Sequence, residues 1–199
     1  MTSLIQLNKK DALDIVKIHS IAFPRFFLTE LGKDVLHVFY AALIQDKSTI
    51  VWGLKNDEQL VGFFVASTTP SGLYTRIFQR HFFSFFIPLT ISFLKNIRLV
   101  RRMITSIISS RSFVLPSEYP VALLSICVCP SFSGKGFGKL LLGKLEEELI
   151  LQQLKGYYLT TDNENNDATN HFYLSYGFKL FDVFLQGKRR MNIYIKDLK

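Results

Sequence analysis

The stretch VALLSICVCPSFSGKGFGKLLL, residues 121–142, decides how this chain is read. Between Val121 and Cys129 only Ser125 is clearly polar. That pattern suits a strand covered on both faces, although a short apolar run by itself does not separate a strand from a buried helix. Pro130 ends the run, because proline has no N–H to give to a ladder. Gly134, Gly136 and Gly138 then follow at every second position. Glycines so spaced let successive backbone N–H groups converge on one concavity with no Cβ in the way. The helical pattern that starts near Lys135 brings the positive end of its dipole to the same place. The combination suits an anion, most simply a diphosphate. The plainer alternative is a glycine turn that holds no ligand.

Ser133-Gly134-Lys135-Gly136-Phe137-Gly138 fits neither the dinucleotide fingerprint G-x-G-x-x-G nor the P-loop G-x-x-x-x-G-K-[ST]. It resembles the acetyl-CoA signature [RQ]-x-x-G-x-[GA] of the GNAT acetyltransferases. Val128-Cys129-Pro130 is similar to that family's V-x-P lead into the turn. Ser133 stands where the family usually has Arg or Gln, so this turn leans more on its amides and on Lys135 and Lys139. Downstream, NDATNHFYLSYGF (166–178) resembles the family's N-x-x-A-x-x-F-Y-x-x-x-G-F. Asn166, Phe172, Tyr173, Gly177 and Phe178 match in place, and Thr169 replaces the small alanine.

The resemblance implies an α/β (α+β) GNAT fold, a mixed sheet of about seven strands flanked by helices. It implies acetyl-CoA as acyl donor. Ile126, Cys127 and Val128 would give main-chain contacts to the pantetheine arm. The diphosphate would rest on Ser133, Gly134, Lys135, Gly136, Phe137, Gly138 and Lys139. Helical spacing puts Asn166, Thr169 or Asn170, and Tyr173 on one face, so Asn166 and Tyr173 can both look toward the thioester. Ala168, Phe172 and Tyr176 suit packing.

Acyl transfer from a thioester to an amine needs a neutral amine, donors for the oxyanion and a proton for the departing thiolate. A backbone N–H near Val128 is the simplest oxyanion donor. Tyr173 matches the tyrosine that the family uses as acid. A phenol with a pKa of about 10 keeps its proton at neutral pH. The base is not legible: Glu118, His19, Glu30 and a water chain all remain open. His19 falls inside the apolar stripe of its helix and also reads as a hydrogen-bonded core residue.

At 199 residues and 48% hydrophobic, the chain is long and apolar enough for one folded domain, 1–199. Its N-terminus turns polar at Asn8-Lys9-Lys10-Asp11 before any apolar run, so no secretory signal is read. Cys127 and Cys129 sit too close along one strand for a relaxed disulfide and read as reduced core residues of a cytoplasmic protein. Two cysteines are also too few for a metal site. The opening pattern is strand 3–7, helix 11–23 capped by Asp11, helix 29–45, then a hairpin of 49–54 and 60–67. Later come a helix over 135–154 stopped by Gly156, strand 157–161, a helix opened by Asn166 and capped by Gly177, and strands 179–185 and 191–195. Phe26, Phe27 and Glu30, between the first two helices, are implied acceptor contacts.

Residues 68–118 form a basic, aromatic insertion that reads as helical. From 60 to 117 there is no Asp or Glu but seven Lys or Arg, so this segment supplies +7 of the net +8. Within it, FFSFFIPLTISFL (82–94) is too short to span a bilayer, which takes about 20 residues. Three readings stand: helices packed on the sheet with solvated arginines, a lid whose basic groups meet an anionic acceptor, or peripheral membrane contact through 76–111. Nucleic acid is not expected, since no such motif accompanies the charge. The expectation is therefore an acetyl-CoA-dependent N-acetyltransferase acting directly on a small-molecule amine, such as an amino sugar or sugar nucleotide. A protein or peptide amine and a non-catalytic CoA-binding module are the alternatives. A homodimer is compatible with the sequence.

Overall fold

The strands are β1 (Thr2–Gln6), β2 (Thr49–Asn56), β3 (Gln59–Ser67), β4 (Val121–Val128), β5 (Gly156–Asp162), β6 (Lys179–Gln186) and β7 (Arg189–Asp197). They make one seven-stranded sheet in the order β1-β2-β3-β4-β5-β7-β6. Every neighbouring pair is antiparallel except β4 and β5, which run parallel because a helix crosses between them. The structure, a computed structural model, describes residues 1–24, 26–95, 117–187 and 189–198.

One face of the sheet carries α1 (Ala12–Ala22), α2 (Phe27–Glu30), α3 (Lys33–Gln45), α4 (Leu73–Arg80) and α5 (Phe82–Lys95). The other carries α6 (Phe137–Leu151) and α7 (Asp167–Tyr176). Leu141, Leu142, Leu145 and Leu149 recur at helical spacing on α6 and are fully buried. Each such leucine contributes about 1.5–3 kcal/mol by leaving water. Glu146 accepts a 3.0 Å hydrogen bond from the buried Tyr157 phenol. Lys144 lies 4.2 Å from the Trp52 ring centroid and pairs with Glu147 and Glu148.

Several boundaries differ from the sequence pattern for local reasons. Asp11 stands at the N-cap position of α1 but makes no side-chain cap bond to it; the capping box belongs to the 3-10 turn Lys9–Asp11 that leads into α1, where the Asn8 side chain accepts from Lys10 N at 3.0 Å and Asp11 accepts from Asn8 N. The single helix expected over 29–45 is split into α2 and α3 by Gly32, at φ 103°. Gly156 opens β5 instead of stopping α6. A Cβ there would meet the Tyr119 ring at 2.7 Å and the Lys196 carbonyl at 2.9 Å.

Among its described residues the insertion forms α4 and α5, after a non-helical lead over 68–72. Arg98, Arg101, Arg102 and Arg111 lie outside the described residues. Arg80 and Arg76 approach the nearly buried Asp46 at 3.5 and 4.0 Å. Burial works to raise the Asp46 pKa, but hydrogen bonds from the Ser48 hydroxyl and amide, and then the two guanidiniums, hold it below the usual carboxylate range. No helix among the described residues is long and apolar enough to cross a membrane.

Candidate active site

β4 leaves the ladder early. It pairs with β5 only at Val121↔Tyr157, Ala122↔Tyr158 and Leu123↔Leu159. On its other edge it stays paired with β3 as far as Gly62↔Val128. The register against β3 skips Leu124, between Ala66↔Leu123 and Val65↔Ser125. That extra residue is a bulge, which bends a strand and strengthens its twist. Beyond Leu123 the β5-facing edge of β4, which includes Ile126, Cys127 and Val128, has no strand partner among the described residues. The sequence pattern did not reveal the bulge, because an inserted residue leaves an all-apolar run unchanged.

After β4 the chain makes a 3-10 turn over Pro130–Phe132 and then the glycine turn. Gly134 and Gly136 take φ of 76° and 78°, where a side chain is strained, and nothing lies within 4 Å of a Cβ built on either. Ser133 N donates back to the Pro130 carbonyl, and Lys139 N donates to Gly136 O. Between them, the N–H groups of 134–138 donate to no other group among the described residues. Five open amides at a helix start form a concavity for an anion. The Phe137 ring stacks on Phe132, so what residue 137 offers a ligand is its amide. Lys135 Nζ rests 4.9 Å from the Phe132 ring centroid, and Lys139 is exposed. Gly138 has a different job: a Cβ there would meet Phe172 Cζ at 3.0 Å, so it sets the approach of α6 to α7.

α7 presents the expected stripe, with Asn166, Thr169 and Tyr173 bordering one cavity. Phe172 and Tyr176 pack into the core as expected, whereas Ala168 is exposed. Asn166 Nδ2 donates to Thr161 Oγ1 at 2.8 Å and to Asp162 O at 3.1 Å, which ties the helix start to the end of β5. The buried Asn192 donates to Asn170 Oδ1 at 3.1 Å and accepts from Asn163 at 2.7 Å, fixing α7 to β7. Tyr173 is buried, and burial, with a smaller contribution from Cys127, pushes its pKa well above that of a free phenol. The hydroxyl therefore keeps its proton throughout the physiological range.

The cavity encloses about 410 Å³ and is lined from both faces of the sheet. It reaches from Asn166, Thr169 and Tyr173 on one side to His19, Phe26 and Tyr40 on the other, passing Leu124, Ser125 and Ile126 of β4. A space bounded in this way runs through the split between β4 and β5. Its far end is aromatic: Phe23, Phe39, Tyr74, Phe78 and Phe85 line it, the last three from α4 and α5. Burial pushes the Tyr74 pKa up to about 12. At the other end Arg189 grips Asp162 through two contacts, 2.9 Å from Nε and 2.6 Å from Nη2.

Of the residues read as base or acceptor contacts, His19 and Phe26 line the cavity. Glu30 and Glu118 are exposed and absent from its wall, and the Phe27 side chain lies outside the described residues. His19 Nδ1 is 2.7 Å from the Tyr40 hydroxyl, which lies 3.4 Å from Ser125 Oγ. Burial lowers the His19 pKa to about 4, so the ring is neutral at working pH. Tyr40 and Ser125 carried no motif signal; only their meeting across the fold reveals them. Cys127 and Cys129 are free, and no group of potential metal ligands occurs among the described residues.

The chain matches the model of the Acetyltransferase (GNAT) family over residues 13–178. No curated protein sequence matches it significantly. Among solved structures it is similar to a GNAT-family protein from Desulfovibrio desulfuricans, with TM-score 0.65, 13% identity and full coverage of both chains. It is similar to the ribosomal-protein-S18-alanine N-acetyltransferase of Escherichia coli, with TM-score 0.62, 14% identity, and 100% of this chain and 94% of that one covered. It is also similar to the PaiA N-acetyltransferase of Thermoplasma acidophilum in complex with coenzyme A, with TM-score 0.61, 13% identity and 99% of each chain covered.

Proposed function

The chain belongs to the GNAT family of acetyltransferases, and from that premise we propose that it acetylates the amine of a small, largely apolar molecule held in the cavity. Acetyl-CoA is the acyl donor and supplies a thioester activated for attack by an amine. The residues present fit this donor. The open amides of 134–138 and the neighbouring Lys135 and Lys139 suit its diphosphate. The unpaired edge of β4 beyond Leu123 suits an extended arm that needs main-chain hydrogen bonds, with Ile126, Cys127 and Val128 supplying them. Ser133 contributes a hydroxyl at the turn, and Asn166 borders the channel from α7.

Tyr173 is the acid in this reading. Its proton is secure at neutral pH, and it lines the same cavity as Ser125 and Ile126 of β4. His19 is too weak a base, with a pKa of about 4, to strip an ammonium group. It instead hydrogen-bonds Tyr40, whose hydroxyl lies 3.4 Å from Ser125 Oγ beside the bulge of β4. The amine therefore loses its proton to water or enters already neutral.

The observation that carries the choice of acceptor is the lining. Among the described residues the only charged groups on the wall are Asp162 and Arg189, and they neutralise each other. The arginines of the insertion that are described, Arg76 and Arg80, point to Asp46 and not into the cavity. An aromatic box of this size favours an amine on a ring or short hydrocarbon over a sugar nucleotide, whose phosphates would lie unpaired against it.

The test is a transfer assay with acetyl-CoA against arylalkylamines, alkylamines, amino sugars, a sugar nucleotide and short peptides. Arylalkylamines should give the highest kcat/KM, and Tyr173→Phe should lower kcat about a hundredfold with CoA affinity retained. Turnover confined to sugars or peptides would refute the acceptor class. Coenzyme A binding with no turnover of any amine would favour a non-catalytic module.

A further inference from the structure

α5 has two unlike faces. Phe85 and Ser92 are 2% and 5% exposed, and Leu89 packs on the core beside them. Across the helix, Phe82, Phe83, Phe86, Ile87 and Ile91 are 56, 87, 56, 66 and 46% exposed. These five positions fall within one half of the helical wheel, and among the described residues the other exposed positions, Thr90 within that half and Ser84 at its border, are uncharged. An apolar patch of this kind on a folded surface marks a place of interaction.

The charge of the sequence around α5 says with what. The segment 60–117 holds seven basic residues and no acidic one, and α5 lies inside it. Exposed aromatic and aliphatic side chains on a helix whose own stretch of sequence is basic and free of Asp and Glu complement an anionic lipid surface: acyl chains for the patch, phosphates for the charge. At 14 residues α5 is about 21 Å long, short of the hydrocarbon thickness of about 30 Å. It is fit to lie in the interface and unfit to cross it.

We infer that α5 docks the protein on the anionic face of a lipid bilayer, with Phe83, Phe86 and Ile87 entering the headgroup boundary. This does not depend on the acceptor class. It does place one helix between bilayer and cavity, since Phe85 on its inner side lines the latter.

The experiment is co-sedimentation of the full chain with vesicles of phosphatidylcholine alone or with about a third phosphatidylglycerol, at low and high salt. Anionic vesicles should bind at least about tenfold more tightly, and high salt should remove most of that preference. The Phe83→Ser, Phe86→Ser, Ile87→Ser triple variant should lose binding about tenfold or more while keeping its thermal shift with coenzyme A. Phe83→Ser alone, at the most exposed position, serves if the triple variant does not fold. Absence of binding to anionic vesicles at low salt overturns the inference. So does equal binding by a folded variant. A dimer in light scattering that the variant dissociates, without vesicle binding, would assign the face to a second copy of this chain.

Discussion

His19 is almost completely buried against Phe23, Phe26 and Tyr40, and among the described residues its ring makes one hydrogen bond, through Nδ1. Nε2 has no partner among the described residues. Such a ring resists protonation because nothing nearby would compensate the charge, and its pKa falls from 6.5 to about 4. The consequence for stability has a definite sign. Between about pH 6.5 and 4 the unfolded chain binds a proton at this position that the folded chain refuses, so stability rises with pH through that window. The contribution is complete above the unfolded value and is lost as pH falls toward 4; a shift of this size corresponds to roughly 3 kcal/mol. Urea denaturation of the wild type between pH 7 and 4.5 should show this slope, and His19→Leu should flatten it. An equal slope in both proteins would mean that other groups carry the acid sensitivity. The pH profile of kcat/KM should likewise lack an inflection near 6.5.

The glycine turn and the helix it starts divide their labour in a testable way. Gly134 and Gly136 answer to ligand space and backbone angle, whereas Gly138 answers to Phe172. Gly136→Asp should therefore lower coenzyme A affinity by a hundredfold or more, since it adds a negative charge beside the open amides. It should cost only about 1–3 kcal/mol of stability for the left-handed backbone. Gly138→Ala should do the reverse, lowering the melting temperature while ligand affinity changes little. Isothermal titration and thermal melts of both variants separate the two roles. This element was the most legible part of the sequence, because it depends on residues adjacent in the chain. The strand, turn, helix and the α7 stripe of Asn166, Thr169 or Asn170, and Tyr173 could all be read from spacing. What could not be read depends on distant meetings. Tyr40 and Ser125 are 85 positions apart. The Asp162–Arg189 clamp joins β5 to β7 across the intervening α7 and β6. The break at Gly32 was missed because the apolar period continues across it.

At the scale of the molecule, the sheet is two ladders, β1 to β4 and β5 to β7, joined by three residue pairs. A ligand lying along the open edge of β4 would join them further. Coenzyme A at a hundred times its Kd should stabilise the fold by about 2.7 kcal/mol. Amide exchange within 124–128 should slow about tenfold or more, while β1 and β2 change little. Uniform protection across the sheet would argue that the ligand does not sit in the split. The same geometry bears on aggregation. An unpaired strand edge is ordinarily a template on which foreign chains add and fibrils begin. Here that edge lies in mid-sheet, walled by β5 and α7, where a slender pendant arm can thread but another protein's strand, flanked by its own neighbours, cannot. The fold thus keeps an adhesive surface permanently available while denying it to its own kind.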